Sequence, residues 1–140
     1  MACGLSSSGL SLDANDYLYR FVHRSSFNGD GTVNSGAFSL RRDPEASVGI
    51  AKLIPSSSFD AFRLLKPEHG LAQITVEDAA ATELGVSPQR DEDWGAFADA
   101  HAILTGYAHW TNKKKDEAAR ALRDAANQRR ILCRPPNFGL

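Results

Sequence analysis

Five short segments of strand-like composition, separated by turn-forming residues, constrain the fold of this chain most. They are rich in β-branched, aromatic and aliphatic residues, which favour strands. Asn-Gly-Asp-Gly at 28–31 is a strong turn signal, and Pro55 ends the third segment. Because no regular βαβ repeat is visible, we expect an α+β fold with a mostly antiparallel sheet. The segments are residues 17–23, 32–40, 47–54, 71–76 and 101–106.

About three helices accompany these strands. Serines at 56–58 precede a short helix through Leu65, and Thr75 with Asp78 forms a capping arrangement for a second helix that Gly85 ends. The clearest helix is long, basic and C-terminal, covers about 112–130 and is capped by Thr111. Its predicted buried side is formed by Ala118, Leu122, Ala125 and Ala126.

Length and composition favour a single cytoplasmic domain. The chain has 140 residues, which is near the usual size of one domain and large enough to fold without a metal or a disulfide. The Gly- and Ser-rich residues 1–12 are predicted to be a flexible tail before a domain at 13–140, and they lack the features of a secretory signal. No apolar run approaches the ~20 residues that span a bilayer. The distant Cys3 and Cys133 provide neither a disulfide framework nor a CxxC pair.

Charge is unevenly distributed along the chain. The long C-terminal helix segment carries seven basic and three acidic residues, a net +4, so the remainder carries −5 of the total of −1. Such a basic helix on an acidic body is suited to an acidic protein partner or nucleic acid, although the pattern is more typical of a solvated outer face. Aromatic residues just before the helix are candidate anchors for a partner. The predicted partner-binding residues are Lys113, Lys114, Arg120, Tyr107 and Trp110.

A second candidate site involves the first strand and the fifth segment. His23 is followed by Arg24 and Ser25, a combination suited to anion binding or to acid–base chemistry. His101 lies in an apolar stretch, where it needs hydrogen-bond partners. If the two strands are neighbours, both histidines reach one cleft, with Arg20, Arg24 and Ser25 binding an anion. Otherwise His101 is a satisfied core residue and His23 a surface residue.

Other chemistries find little support in the sequence. The four histidines are scattered, with neither HxH nor HExxH, so no metal site is expected. The turn around residues 26–37 resembles a calcium loop but has Ala37 where a bidentate Glu belongs. The chain contains no GxSxG, GxGxxG or P-loop pattern, and no cofactor is expected.

Two family resemblances accompany these residues. Segments 16–26, 34–38, 47–49 and 100–106 resemble small uncharacterised bacterial proteins over most of residues 16–135, a likeness that implies no activity. Leu-Tyr-Arg at 18–20 is also similar to the first strand of NAD-handling folds related to ADP-ribosyltransferases, which implies roles for Arg20 and Ser39. Those folds place a Glu in a late strand where this chain has His101, which puts the corresponding chemistry in doubt.

Three functions remain open from the sequence. The first is a non-enzymatic accessory or protein-interaction domain of a cytoplasmic bacterial system, with self-association left open. The alternative is a small enzyme that acts on a nucleotide or NAD-like ligand, with catalytic His23 and His101. The third is nucleic-acid binding through the helix at 111–130. The observation that separates the first two is whether Arg20, His23 and His101 line one pocket.

Overall fold

The fold is an antiparallel five-stranded sheet with helices on both faces. The computed structural model describes residues 11–41 and 46–138, so Cys3 and most of the predicted tail lie outside the described residues. The strands follow the order β3-β1-β2-β5-β4, and every pair is antiparallel. The predicted α+β class is confirmed. The elements are β1 (Tyr17–Val22), β2 (Ala46–Ile50), α1 (Phe59–Arg63), β3 (Gly70–Thr75), α2 (Val76–Ala81), β4 (Gly85–Pro88), β5 (His101–Thr105) and α3 (Asn112–Gln128).

Alternation along β1 divides its side chains between two apolar clusters. Leu18 and Val22 are buried in the cluster that α2 and α3 cover, whereas Tyr19 and Phe21 pack against the opposite cluster around Phe62. Because successive side chains in a strand point to opposite faces, one short segment contributes to both cores. The sheet is therefore covered on both faces, and its polar residues must find partners within the fold.

The long helix α3 forms as the sequence predicts. The Thr111 side chain accepts a hydrogen bond from the backbone N–H of Lys114, which caps the first turn. Ala118, Leu122 and Ala126 recur every four residues and are buried against the sheet. No helix in the described part of the chain is both long and apolar enough to cross a membrane.

Helix α2 begins as predicted but ends earlier. Thr75 and Asp78 form a reciprocal capping box at its start. The helix ends at Ala81 rather than at Gly85, because Glu83 adopts a left-handed conformation with φ 66°. Leu84 N–H then donates to the Ala79 carbonyl at 2.9 Å, which closes a Schellman motif. Gly85 instead begins β4, a strand that the sequence analysis missed.

The segment 32–40 is not a strand, contrary to the prediction. A single bridge joins Val33 to Phe27, after which Ser35–Phe38 forms a 3₁₀ helix. The Asn34 side chain accepts a hydrogen bond from Gly36 N–H, and this local bond competes with pairing to a strand. The strand predicted at 47–54 likewise ends at Ile50, where a 3₁₀ turn follows. The first departure places the Ser35–Phe38 helix beside β1, where Arg20 Nε donates to the Ala37 carbonyl.

Candidate functional site

A gap opens between β1 and β2 where their pairing ends. The two strands pair at Leu18↔Ile50 and Tyr19↔Gly49. One residue further along β1, Arg20 Nη1 donates to the Ser47 carbonyl at 2.8 Å and Nε donates to the Ala37 carbonyl at 3.0 Å. One guanidinium thus connects β1, β2 and the 3₁₀ helix that contains Ala37. These hydrogen bonds hold the edges of the gap in place, and they are stronger than neutral ones because the guanidinium is charged.

This gap contains a cavity of about 240 Å³ with a basic lining. Of the ten described residues that line it, four have basic side chains and none has a carboxylate. The volume is below the ~300–1,000 Å³ typical of pockets for drug-sized ligands, and suits a small anionic group. The basic residues are Arg20, His23, Lys66 and His69, and the others are Phe21, Ser26, Gly36, Ala37, Ser47 and Trp94.

His23 and His69 meet because the pairing of β1 with β3 leads directly to them. Val22 pairs with Gly70, so the next residues outward in this antiparallel register are His23 and His69. Their rings are perpendicular with centroids 5.5 Å apart. His23 Nδ1 accepts the backbone N–H of Ser25 at 3.1 Å. In the neutral ring the proton is therefore on Nε2, which makes that atom a donor.

His69 lies in an electropositive environment. Burial is the main cause that lowers the pKa of His69 from its usual range; the charges of Lys66 and Arg20 lower it further, whereas Glu68 acts in the opposite direction. Among the described residues, its Nδ1 is a buried side-chain atom that has no hydrogen-bond partner. A buried polar atom without a partner is uncommon and carries a free-energy cost. An anion that enters the cavity would relieve the positive potential that this ring experiences.

His101 lies behind the cavity in contact with Ser47. Its side chain is buried, Nδ1 lies 2.6 Å from the Gln89 carbonyl, and Nε2 lies 3.0 Å from Ser47 Oγ. Because a carbonyl only accepts, Nδ1 carries the proton and Nε2 of the neutral ring accepts from the Ser47 hydroxyl. The Asp91 carboxylate is 3.7 Å from Nε2, and the Trp94 ring packs edge-on at 4.7 Å between centroids.

The sheet register explains the contact between Ser47 and His101. Ser47 pairs with Ile103 and His101 pairs with Gly49, so Ser47 and His101 are diagonal neighbours on one face. A side chain at Gly49 would have its Cβ 2.9 Å from Phe62 and 3.3 Å from Trp94. The absence of that side chain gives both aromatic rings room beside His101.

The predicted ligand-binding residues are only partly brought together. Arg20 and His23 line the cavity, and His101 reaches it through the Ser47 hydroxyl. Arg24 does not line it, because its guanidinium donates to the carbonyls of Pro136 at 2.6 Å and Asn137 at 3.1 Å. Ser25 acts indirectly by fixing the orientation of His23. Because His101 is not among the lining residues, Arg20, His23 and His101 do not all line one pocket, and the enzyme alternative stays a prediction.

Sequence reasoning missed Ser47, Lys66, His69 and Trp94 as members of this site. Lys66 and His69 lie in the turn before β3, where their spacing resembles ordinary turn chemistry. Ser47 offered one usable signal, since it is a hydroxyl residue in an otherwise apolar strand. Its relation to His101 depends on the pairing of β2 with β5, which no local pattern encodes.

The residues predicted to bind a partner lie near the N-terminal half of α3 and have different surroundings. Lys113 and Arg120 are exposed. Lys114 Nζ lies 4.3 Å from the Trp110 ring centroid and 3.4 Å from a Glu83 carboxylate oxygen. Tyr107 is buried, and its hydroxyl accepts the backbone N–H of Ala46 at 3.0 Å. Tyr107 thus packs in the core and offers little surface to a partner.

Metal ligation and similarity to other proteins add no further assignment. Within residues 11–41 and 46–138, no group of three or more His, Cys, Asp or Glu side chains is arranged to hold a metal ion. The chain matches no family model, no curated protein and no solved structure. The class that fold and site define is an antiparallel α+β protein with a small basic cavity at a strand gap.

Proposed function

We propose that this protein binds a small phosphate-bearing ligand, of the nucleotide or related class, in the cavity between β1 and β2. The observation that carries the proposal is the basic lining, with four basic residues and no carboxylate among the ten described lining residues. A phosphate group gains charge-assisted hydrogen bonds from such a lining. The cavity volume accommodates the phosphate end, while the organic part extends toward the aromatic side chains of Phe21 and Trp94.

The basic residues contribute in different ways. Lys66 supplies an ammonium group on the cavity wall, and the Nε2 proton of His23 supplies a directional donor. The guanidinium of Arg20 adds positive charge while its bonds to backbone carbonyls fix the wall. The pKa of His69 is lowered mainly by burial, and the nearby charges of Lys66 and Arg20 act in the same direction, which is consistent with a basic cavity.

The interaction-domain and nucleic-acid hypotheses remain predictions with weaker support. Tyr107, one of the proposed anchors, is buried, and Lys114 already contacts Glu83 and Trp110. By contrast, the basic cavity combines charge, concavity and an unsatisfied polar atom in one place. We therefore favour the small-ligand function over both.

Titration of the ¹⁵N-labelled protein with AMP and with adenosine tests the proposal. We expect AMP, but not adenosine, to shift amide resonances of residues around the cavity. Lys66→Gln should weaken AMP binding about tenfold, because a charge-assisted hydrogen bond contributes roughly 1.5–3 kcal/mol. Lys113→Gln removes the same charge from exposed surface of α3 and should leave affinity unchanged. Equal binding of adenosine, or equal effects of the two variants, would overturn the proposal.

A further inference from the structure

The Ser47–His101 pair gives the cavity a feature that ligand binding alone does not require. We propose that Ser47 is a nucleophile and His101 its general base, and that the site transfers the phosphoryl group of a phosphate ester to Ser47. This inference rests on the proposed function, because it takes the phosphate-bearing ligand of that cavity as its substrate. It adds a reaction to the binding site.

The hydrogen bonds around His101 orient it as a base. A serine hydroxyl becomes nucleophilic when an adjacent base accepts its proton and a third group fixes the orientation of that base. Here Ser47 Oγ lies 3.0 Å from His101 Nε2, and the Gln89 carbonyl accepts the Nδ1 proton at 2.6 Å. The tautomer required for general-base action is thus the one that the fold selects. The edge of Trp94 packs against the imidazole and restricts its rotation.

Ser47 differs from a serine that only satisfies a buried histidine, because it also lines the cavity. Its position along the wall is fixed by the Arg20 Nη1 bond to the Ser47 carbonyl. Ser47 therefore has the cavity on one side and a buried base on the other. The proton acceptor is buried, whereas Ser47 is only partly buried.

The basic lining matches the charge that develops during phosphoryl transfer. In the transition state, negative charge spreads over the three non-reacting phosphate oxygens, and catalysis depends mainly on positioning and electrostatic stabilisation. Lys66, Arg20 and the His23 Nε2 proton provide positive charge and a donor on the cavity wall. The Asp91 carboxylate, 3.7 Å from Nε2, stabilises the imidazolium that forms when His101 takes the proton.

The reaction balances without a further reactant except water. A lone pair of Ser47 Oγ forms the Oγ–P bond, the P–O bond to the alcohol breaks, and the hydroxyl proton passes to His101 Nε2. The alkoxide departs on the face of phosphorus opposite Ser47 and takes a proton from water, which leaves hydroxide. In the second half, this hydroxide attacks phosphorus on that face, the Oγ–P bond breaks, and His101 returns its proton to Ser47 Oγ. Inorganic phosphate leaves.

A fluorophosphonate probe tests the nucleophile directly, because attack by Ser47 forms an Oγ–P bond and releases fluoride. We expect a single adduct on Ser47 by intact-mass and peptide mass spectrometry, and none in Ser47→Ala. His101→Gln should slow labelling about 100-fold, the lower range for loss of a general base. Ser57→Ala changes an exposed serine outside the cavity and should label like the unchanged protein. Labelling of other serines, or equal rates with and without His101, would overturn the assignment.

A second variant keeps the test informative if Ser47→Ala fails to fold. Ser47→Cys retains a nucleophile of similar size, and iodoacetamide should alkylate it about tenfold faster than it does in the double variant with His101→Gln, because the histidine favours the thiolate. The Cys133 thiol, whose pKa burial raises, serves as a slow internal reference. Equal alkylation rates at position 47 in both backgrounds would contradict the proposed base.

Protection experiments separate this inference from the proposed function. Slower labelling of Ser47 in the presence of AMP supports both. Labelling that AMP does not affect would overturn the phosphate-bearing ligand and leave the nucleophile in place. Binding of AMP at the cavity without labelling of Ser47 would overturn the nucleophile and leave the binding function in place.

Discussion

Ser47 and His101 are diagonal neighbours across the β2–β5 pair, and their side chains meet at 3.0 Å between Oγ and Nε2. The geometry depends on Gly49, which stands directly opposite His101 and leaves room for the rings of Phe62 and Trp94. The Ser47 hydroxyl lies between the buried imidazole of His101 and the basic cavity, so the proposed reaction depends on the pairing register of β2 and β5. A one-residue slip would move Ser47 to the other face of the sheet and separate the pair.

We expect Gly49→Ala to destabilise the protein by about 1–3 kcal/mol, because the added Cβ overpacks the core. The methyl group would lie 2.9 Å from Phe62 and 3.3 Å from Trp94. Urea unfolding followed by tryptophan fluorescence measures the change in the free energy of unfolding. Gly29→Ala is the matched control, since its Cβ meets no atom within 4 Å and its backbone does not have positive φ. Similar losses in the two variants would argue against the close packing beside His101.

His69 makes the free energy of unfolding depend on pH, at pH values above those at which carboxylates titrate. The fold lowers the pKa of His69, so the unfolded chain binds its proton more readily. His69 therefore destabilises the fold when the unfolded chain is protonated at this residue. This destabilisation is absent above about pH 6.5, the unperturbed pKa, and it grows as the pH decreases from there to the folded-state pKa. We expect His69→Gln to lose less stability than the unchanged protein between about pH 7 and pH 5. A parallel decline in both proteins would exclude His69 as the group responsible.

Binding of a phosphate group should raise the pKa of His69, which is the opposite of the effect of folding. Because an anion in the cavity favours the charged imidazole, AMP should raise the pKa of His69 toward its ordinary value. NMR titration of the ring Hε1 resonance, with and without AMP, measures this change. His109 is exposed on the chain after β5 and provides a reference resonance. A shift of equal size at His109 would indicate a general ionic effect instead of binding at the cavity.

The Asp78 carboxylate stabilises both the C-terminal end of α3 and the start of α2. Arg129 donates to both oxygens of Asp78 at 2.8 and 3.0 Å, and Asp78 also completes the capping box with Thr75. Burial acts to raise the pKa of Asp78, but the hydrogen bonds from Arg129 and Thr75 outweigh it and lower the pKa overall. We expect Asp78→Ala to cost about 1–3 kcal/mol, measured by urea unfolding, from the lost cap and charged hydrogen bonds. Asp124→Ala, whose side chain is exposed, should cost less than about 0.5 kcal/mol.

Local patterns predicted the elements whose signals are contained within a few residues. The alternation of β1, the capping residues of α2 and α3 and the buried stripe of α3 each depend on neighbours in sequence. The segment 32–40 failed because Asn34 satisfies the backbone locally, and β4 was missed because its pairing with β5 decides it. The residues of the candidate site also divide into those with a local sequence signal and those that depend on strand pairing. Arg20 and His23 were identified from one strand, whereas the contacts of Ser47 with His101 and of His69 with His23 depend on the registers β2–β5 and β1–β3.

Arg20 provides the last test, because it separates positioning of the nucleophile from attraction of the ligand. Its Nη1 bonds to the Ser47 carbonyl and its Nε bonds to the Ala37 carbonyl, an arrangement that a lysine ammonium cannot reproduce at both sites. Arg20→Lys keeps the positive charge, so we expect the dissociation constant for AMP to change by less than about threefold. Labelling of Ser47 by the fluorophosphonate should slow by about tenfold, because a small displacement of a reacting group has a large effect on rate. Equal losses in affinity and labelling rate would show that the guanidinium geometry of Arg20 supports ligand binding as much as the position of Ser47, and an unchanged labelling rate would remove Arg20 from the positioning of Ser47.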